Sequence, residues 1–207
     1  MTEEQAREWI RERFGVSRET TLARFGELLV AEAQNQNLVA ASTLETLWSR
    51  HFLDSAQLIP LVESAPPGIW LDVGSGAGLP GMVAAILLDR SFILCEPRGR
   101  RAEFLAHAAG ALDLDTRVSV QASKIERYQP AKPCAIVSAR AVAELRQVLQ
   151  STAHCTDLST VWVLPKGRNA QSEVDAARRK WQGVFHVEPS ITQPESGIVV
   201  ARGVRPR

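Results

Sequence analysis

The stretch IWLDVGSGAGLPG, Ile69 to Gly81, decides how the rest of the chain is interpreted. It is an apolar run that ends in a glycine-rich turn, as in a buried strand that leads into a ligand-binding turn. Glycine has no Cβ, so the backbone can turn sharply there and approach a ligand closely. Two spacings fit: G-x-G-x-G at Gly74, Gly76 and Gly78, and G-x-G-x-x-G from Gly76 through Gly78 to Gly81. The sequence therefore predicts a nucleotide-derived ligand at this turn.

Outward from this stretch, short apolar runs alternate with amphipathic segments. Strands are predicted at residues 69–73, 91–96, 117–121, 134–138 and 161–164. Helices are predicted at residues 79–88, 98–112, 141–153 and 169–181. Two late runs, 184–187 and 198–201, are expected to pair as an antiparallel edge. Repeated alternation of strand and helix indicates an α/β fold with a doubly wound, mostly parallel sheet.

The first 65 residues are predicted to form an N-terminal helical cap. Leu22, Phe25, Leu29 and Ala33 recur at spacings of three and four, which marks one buried helix face. A further helix is expected from Ser42, as an N-cap with Glu45 three residues on, to about Leu61. The tandem proline of ESAPPG ends it. We therefore expect a cap at 1–65 and a ligand-binding domain at 66–207.

Composition limits the functional classes. The chain has 207 residues with 45% hydrophobic and 23% charged residues, which is enough for a full core. Its net charge of +1 argues against general polyanion binding, so any nucleic-acid contact must come from local clustering. Three widely spaced cysteines without C-x-x-C indicate reduced thiols and no metal site. With no apolar signal region and no run of ~20 apolar residues, we expect a soluble, cytoplasmic protein.

Two acidic residues accompany the glycines. Glu96 ends the second predicted strand 22 residues after Gly74, which is the position of a ribose-binding carboxylate. Its charge disfavours a 2′-phosphate, but NAD and S-adenosylmethionine both carry an adenosine ribose. Asp72 stands in an apolar strand, where it either holds the glycine turn through backbone N–H groups, reaches a cationic ligand or is a purely structural carboxylate.

Three observations favour S-adenosylmethionine over NAD as the ligand of the glycine turn. Asp72 supplies negative charge where a sulfonium would sit, and it would repel a pyrophosphate. Pro80 makes a weak start for a helix whose N–H groups must hold a diphosphate. No Tyr-x-x-x-Lys for hydride transfer is present. An NAD-binding oxidoreductase remains the alternative, as does an RNA-binding protein without catalysis.

The segment after the fourth strand, IVSARAVAEL, lacks the Pro-Pro-Tyr typical of exocyclic amine methylation. Cys134 falls at the wrong end of the sheet for a nucleophile, so we interpret it as a small core residue. A nitrogen with a free lone pair, such as guanine N7, carries no proton and needs only proximity and alignment. The missing general base is therefore consistent with N7 methylation.

Basic residues follow three separate predicted strands and also occur in the cap, which indicates a docked polyanion. They are Arg50, His51, Arg98, Arg100, Arg101, Arg140, Lys166 and Arg168. Lys124 is interpreted as a solvated charge.

Several segments resemble one known family over nearly the whole chain. QNLVAAST, RHFLDSAQLIP, WLDVGSGAGLPGMVAAI, RGRRAEFL, VSARAV and LPKGR are similar to the bacterial 16S ribosomal RNA guanine-N7 methyltransferases, also called glucose-inhibited division protein B. The resemblance implies a Rossmann-like S-adenosylmethionine-dependent methyltransferase sheet and methylation of N7 of guanine 527 in 16S RNA. The partner would be the 30S subunit or an assembly intermediate.

The resemblance also implies site residues. The cofactor site would include Asp72 and Glu96 with the glycines, and residues near the adenine and the methionine end. Those further residues are Leu79, Ile125, Glu126 and Arg140. Beyond the resemblance, we predict that Arg140 and Lys166 act in catalysis of the methyl transfer. The sequence departs from the family at Glu96, often Asp, at Lys124, often Arg, and at Arg100-Arg101, usually Lys-Arg; the Lys124 replacement would lose a bidentate contact if one is needed there.

Overall fold

The computed structural model describes residues 1–207, and its centre is one seven-stranded sheet in the order β3-β2-β1-β4-β5-β7-β6. The first five strands run parallel, and β7 is antiparallel to both β5 and β6. The strands are β1 Trp70–Val73, β2 Phe92–Cys95, β3 Val118–Gln121, β4 Ile136–Ser138, β5 Val161–Gly167, β6 Trp181–Pro189 and β7 Gly197–Pro206.

Seven α-helices surround or precede the sheet. They are α1 Glu3–Phe14, α2 Val16–Glu32, α3 Leu53–Ala56, α4 Gly81–Leu87, α5 Gly99–Ala111, α6 Leu145–Thr152 and α7 Ala170–Ala177. Shorter helical turns lie at Ala41–Thr46, Trp48–Phe52, Pro60–Val62, Ile125–Arg127 and Ala153–Cys155. No helix is both long and apolar enough to cross a membrane.

The predicted doubly wound sheet and its antiparallel edge are confirmed. Every residue of Trp70–Val73 is buried because helices cover both faces of the central strands. The late pair forms one edge in which β7 inserts between β5 and β6. Because β1 to β5 are parallel, their carboxyl ends share one edge of the sheet, and the glycine turn lies on it; only β7 runs in the opposite direction.

The N-terminal helices pack onto this sheet through a shared core. Helix α1 begins after Thr2, which forms a capping box with Gln5. Three residues of the predicted face, Leu22, Phe25 and Leu29, are fully buried in α2, whereas Ala33 caps the end of the helix and is half-buried. The Phe25 ring lies 5.9 Å from the ring of Phe52 and 6.4 Å from that of Phe104 in α5. The apolar cluster continues to Trp70 in β1, so the cap and sheet share buried surface.

The predicted continuous helix from Ser42 to Leu61 is wrong. That segment is a 3₁₀ turn, a π-helical turn at Trp48–Phe52, and the short α3. Ser42 is not a cap, since no side-chain cap hydrogen bond is present there. The carboxylate of Glu3 accepts the backbone N–H groups of Trp48 and Ser49 at 2.9 and 2.8 Å, which withdraws those donors from a regular helix.

Two sheet helices are shorter than predicted. Helix α6 begins at Leu145 rather than Ala141, because residues 139–144 form a loop in which Ala141 has φ +55°. Helix α7 ends at Ala177, since Trp181 already begins β6. We call residues 139–144 the β4–α6 loop; it is the segment that reaches the glycine turn.

Candidate functional site

The glycine turn after β1 needs glycine at each of three positions. Gly74, Gly76 and Gly78 have φ of +68°, +56° and +87°, the left-handed region that side chains rarely adopt. A Cβ on Gly74 would lie 2.6 Å from Cγ2 of Val142, in the β4–α6 loop. A Cβ on Gly78 would lie 2.8 Å from Cβ of Met82. The turn is therefore shaped both by its backbone and by what packs on it.

Gly81 has a packing reason rather than a phosphate-binding one. A Cβ there would lie 2.5 Å from Leu94 and 2.6 Å from the carboxylate of Asp72. Its N–H donates to Oδ2 of Asp72 at 3.2 Å, which brings the start of α4 against β1. The third glycine of the G-x-G-x-x-G spacing is thus explained by close helix-to-strand contact.

Asp72 is fully buried and joins three elements. Its Oδ1 accepts the hydroxyl of Ser138 at 2.6 Å, and that hydroxyl accepts the indole N–H of Trp70 at 2.8 Å. Desolvation raises the pKa of Asp72 to about 6, against the lowering effect of its hydrogen bonds from Ser138, Ser75 and Gly81. The side chain is 0% exposed, so any influence on a ligand passes through the turn that it holds.

Glu96 also holds the turn. Its two carboxylate oxygens accept the backbone N–H groups of Gly76 and Arg98, each at 2.9 Å. A carboxylate has about four acceptor sites, so two remain for ribose hydroxyls. Leu79 and Ile125 are buried beside this edge, whereas Glu126 is exposed.

Arg140 follows β4 and is held from the N-terminal cap. Its Nη1 donates to Oδ2 of Asp54 at 3.1 Å, and its Nη2 lies 3.3 Å from Nδ1 of His51. Burial, together with the charge of Arg140, lowers the pKa of His51 to about 4, so the imidazole is neutral at pH 7. Asp54 was not singled out from the sequence, although its i, i+3 spacing from His51 was a usable signal.

Lys166 is buried rather than displayed on the rim. Its ammonium lies 3.1 Å from Oε2 of Glu173 and donates to the backbone carbonyl of Ala143. The lysine side chain is only 7% exposed. The structure thus places Lys166 as a support beneath the β4–α6 loop.

A cavity of about 610 Å³ opens at the carboxyl ends of β4 and β5, within the ~300–1,000 Å³ range of ligand sites. Its lining includes Arg50, His51 and Asp54 of the cap, and Arg140 with the β4–α6 loop, whose Val142 also packs on the glycine turn. Further lining comes from residues 190–196, the β6–β7 loop, which no sequence pattern identified as part of a site. Its cavity-lining members are Ser190, Gln193 and Ser196.

The other predicted basic residues have different settings. The side chains of Arg100 and Arg101 donate to the backbone carbonyls of Asn35 and Asn37 at 2.8 and 2.7 Å, so they anchor the loop after α2. Arg168 pairs with a carboxylate of the β6–β7 loop and remains 78% exposed. The side chains of Arg50, Arg98 and Lys124 are exposed.

The three thiols are core groups. Cys95, Cys134 and Cys155 are buried, and burial raises the pKa of Cys134 to about 12. The interpretation of Cys134 as a small core residue therefore agrees with its surroundings.

The comparisons with known proteins agree with this arrangement. Residues 18–196 match the family described as rRNA small subunit methyltransferase G. A protein named ribosomal RNA small subunit methyltransferase G from Rhizorhabdus wittichii is 43% identical, over 100% of this chain and 95% of its own length. One of the same name from Sphingopyxis alaskensis is 45% identical, over 97% of this chain and 86% of its own.

Solved structures support the fold. An N-methyltransferase from Bradyrhizobium japonicum, in complex with S-adenosyl-L-homocysteine, superposes with a TM-score of 0.58. The match covers 88% of this chain and 99% of that one, at 14% sequence identity. A likeness at this identity concerns the fold alone.

Proposed function

The chain belongs to the rRNA small subunit methyltransferase G family, and from this membership we propose that it methylates N7 of guanine 527 in 16S ribosomal RNA, using S-adenosylmethionine. The observation that carries the proposal is identity of 43% over the whole chain to a relative of that name. The family is one of S-adenosylmethionine-dependent methyltransferases, so the NAD-binding oxidoreductase is set aside.

The residues at the glycine turn fit this cofactor. Gly76 leaves its backbone accessible, since a Cβ there would meet no atom closer than 3.7 Å, whereas the missing Cβ of Gly74 lets Val142 pack against the turn. Glu96 keeps acceptor sites that would receive two ribose hydroxyls. Leu79 after β1 and Ile125 after β3 are the apolar residues that would flank the adenine, and Glu126 follows Ile125 at this edge. The sulfonium of this cofactor supplies an electrophilic methyl group.

The chain's own residues need only orient the reactants. Guanine N7 carries a free lone pair and no proton, so no general base is required, and alignment of N7 with the methyl group supplies the acceleration. Arg140 lines the cavity, and we expect its guanidinium to contact a phosphate or the methionine carboxylate. Lys166 keeps the β4–α6 loop in place through Ala143.

The exposed cations support docking of the RNA over the same edge. Arg50 lines the cavity, and Arg98 and Arg168 follow β2 and β5 at the same edge of the sheet, so these exposed side chains can neutralise phosphates. Arg100 and Arg101 add positive charge while they anchor the loop after α2. We infer that the substrate is 16S RNA in the 30S subunit or an assembly intermediate, and that the protein works in the cytoplasm.

The test uses labelled S-adenosylmethionine with 30S subunits whose RNA is unmethylated, and with naked 16S RNA. After digestion, label in 7-methylguanosine is expected, and a guanine 527 substitution in the RNA should abolish it. Label in another nucleoside would keep the cofactor and overturn the N7 chemistry. Cofactor binding without label in either RNA would favour an RNA-binding protein without catalysis.

A further inference from the structure

The guanidinium of Arg140 is hydrogen-bonded to two side chains from a distant part of the sequence. Asp54 and His51 come from the N-terminal cap, 86 and 89 residues away in sequence, and both contact the guanidinium. We propose that Asp54 and His51 are positioning residues that fix the orientation of Arg140 toward the cavity. The proposal rests on the proposed function for its consequence in catalysis, but its geometry can be tested separately.

The hydrogen bonds determine which His51 nitrogen carries the proton. Guanidinium nitrogens only donate, so Nδ1 of His51 must accept from Arg140 and is unprotonated. The proton is then on Nε2, which lies 2.8 Å from the hydroxyl of Thr43. That hydroxyl donates onward to the carbonyl of Ala40 at 2.8 Å, so it is available as an acceptor. His51 is thus the neutral Nε2–H tautomer, an acceptor aimed at Arg140.

Asp54 connects Arg140 to the β6–β7 loop. Its Oδ2 receives Arg140, while its Oδ1 accepts the hydroxyl of Thr192 at 2.7 Å and the amide of Gln57 at 2.9 Å. Gln57 in turn accepts the backbone N–H of Ile191 at 2.9 Å. One carboxylate therefore connects the cap, the β4–α6 loop and the β6–β7 loop, all of which contribute residues to the cavity lining.

Asp54 and His51, which together we call the Arg140 clamp, leave the guanidinium able to bind a ligand. A guanidinium has five N–H donors, and Asp54 and His51 take two of them. The side chains of Arg140 and Asp54 are 19% and 13% exposed, and both line the cavity. The remaining donors can contact a ligand in a fixed direction, whereas a free arginine would lose rotamer entropy on binding.

The activity test compares variants that keep or remove a hydrogen-bond acceptor for the guanidinium of Arg140. In H51N the amide oxygen lies near the position of Nδ1, and in H51Q the amide lies near Nε2. We expect H51N to retain methyl transfer within about threefold, and H51Q and D54N to lower kcat/KM by about 10- to 100-fold, the cost of a misaligned reactant. In an R140A background, D54N should have no further effect on kcat/KM.

The matched control is E19Q. Glu19 is another carboxylate of the cap, 2% exposed, which pairs with Arg7 and Arg11 and lies outside the cavity. We expect E19Q to lower the melting temperature and leave kcat/KM unchanged. Equal loss of activity in H51N and H51Q, or an undiminished effect of D54N in the R140A background, would overturn the positioning role.

A spectroscopic readout separates this proposal from the proposed function. Nitrogen-15 NMR of the four histidines, assigned with H51Q, reports the His51 tautomer in the full-length protein without RNA. The Nε2–H tautomer at neutral pH is expected, with a changed Nδ1 shift in R140A. An Nδ1–H tautomer refutes the clamp. If the protein shows the Nε2–H tautomer and the changed Nδ1 shift in R140A but methylates no RNA, the proposed function is refuted and the contact of His51 with Arg140 is still supported.

Discussion

The buried carboxylate of Asp72 predicts an unusual dependence of stability on pH. Desolvation raises its pKa in the folded protein to about 6, above the ordinary value of 3.8. Because the folded state holds this proton more tightly than the unfolded chain, protonation stabilises the fold. That stability is complete below the unfolded pKa and is lost as the pH rises through the folded one.

The magnitude follows from the two pKa values. Their separation corresponds to about 3 kcal/mol of unfolding free energy in all, of which about 1.5 kcal/mol falls between about pH 5 and about pH 8. D72N cannot ionise and keeps an oxygen for the N–H of Gly81, but its amide conflicts with the hydroxyl of Ser138. We expect a constant cost of about 1 kcal/mol from that conflict.

The measurement is urea unfolding of wild type and D72N across this pH range, followed by tryptophan fluorescence. Subtracting the two curves cancels groups common to both proteins. The stability of D72N relative to wild type should rise by about 1.5 kcal/mol from about pH 5 to about pH 8.

The matched control is D89N. Arg18 lowers the pKa of the exposed Asp89, so this carboxylate is ionised in the folded and unfolded states throughout that range. Its difference curve should be flat. A flat curve for D72N as well, or one that falls with pH, would refute the assignment of a destabilising buried charge to Asp72.

Three further predictions follow from single contacts. G74A should lower the stability by at least about 1 kcal/mol and weaken S-adenosylmethionine binding in calorimetry, because its Cβ would lie 2.6 Å from Val142 at a φ of +68°; G110A, in open space within α5, should instead stabilise by about 0.5–1 kcal/mol. K166A should cost about 2 kcal/mol in urea unfolding, because the half-buried carboxylate of Glu173 loses its cationic partner and keeps only the N–H of Leu145, and adding E173Q should restore part of it; full stability of K166A would contradict this pairing. The three buried thiols, whose pKa values burial raises to about 12, 12 and 11, should resist iodoacetamide in the folded protein and react in guanidinium, as mass spectrometry can check; rapid labelling of the folded protein would show an open core.

The strands and the glycine turn could be predicted because their signals are local. Each of the seven strands overlaps a predicted apolar run. The glycine turn and Glu96 lie at the predicted edge, where the carboxylate of Glu96 accepts the N–H of Gly76. The segment 42–61 could not be predicted, because Glu3 takes the N–H groups of Trp48 and Ser49 from outside it. Local propensity has no access to such a partner.

The basic residues show the same limit. Lys166 and Arg98 look alike in sequence, yet the first is buried against Glu173 and the second is exposed. A charge count after the strands predicts where a polyanion could dock, but it does not say which cations are already used. Arg100 and Arg101 are examples of cations already in use, because their side chains donate to backbone carbonyls of the chain itself.

The sequence by itself determined the fold class, the ligand-binding turn and the acidic residue beside it, because side-chain periodicity and short spacings act within one strand–helix–strand unit. Only the tertiary structure decided what surrounds Arg140. Asp54 lies 86 residues before Arg140 in the sequence, and the same carboxylate accepts a hydrogen bond from Thr192, which lies 138 residues after Asp54. No spacing encodes such contacts, since they depend on how the cap, β4 and the β6–β7 loop pack once apolar burial has brought them together.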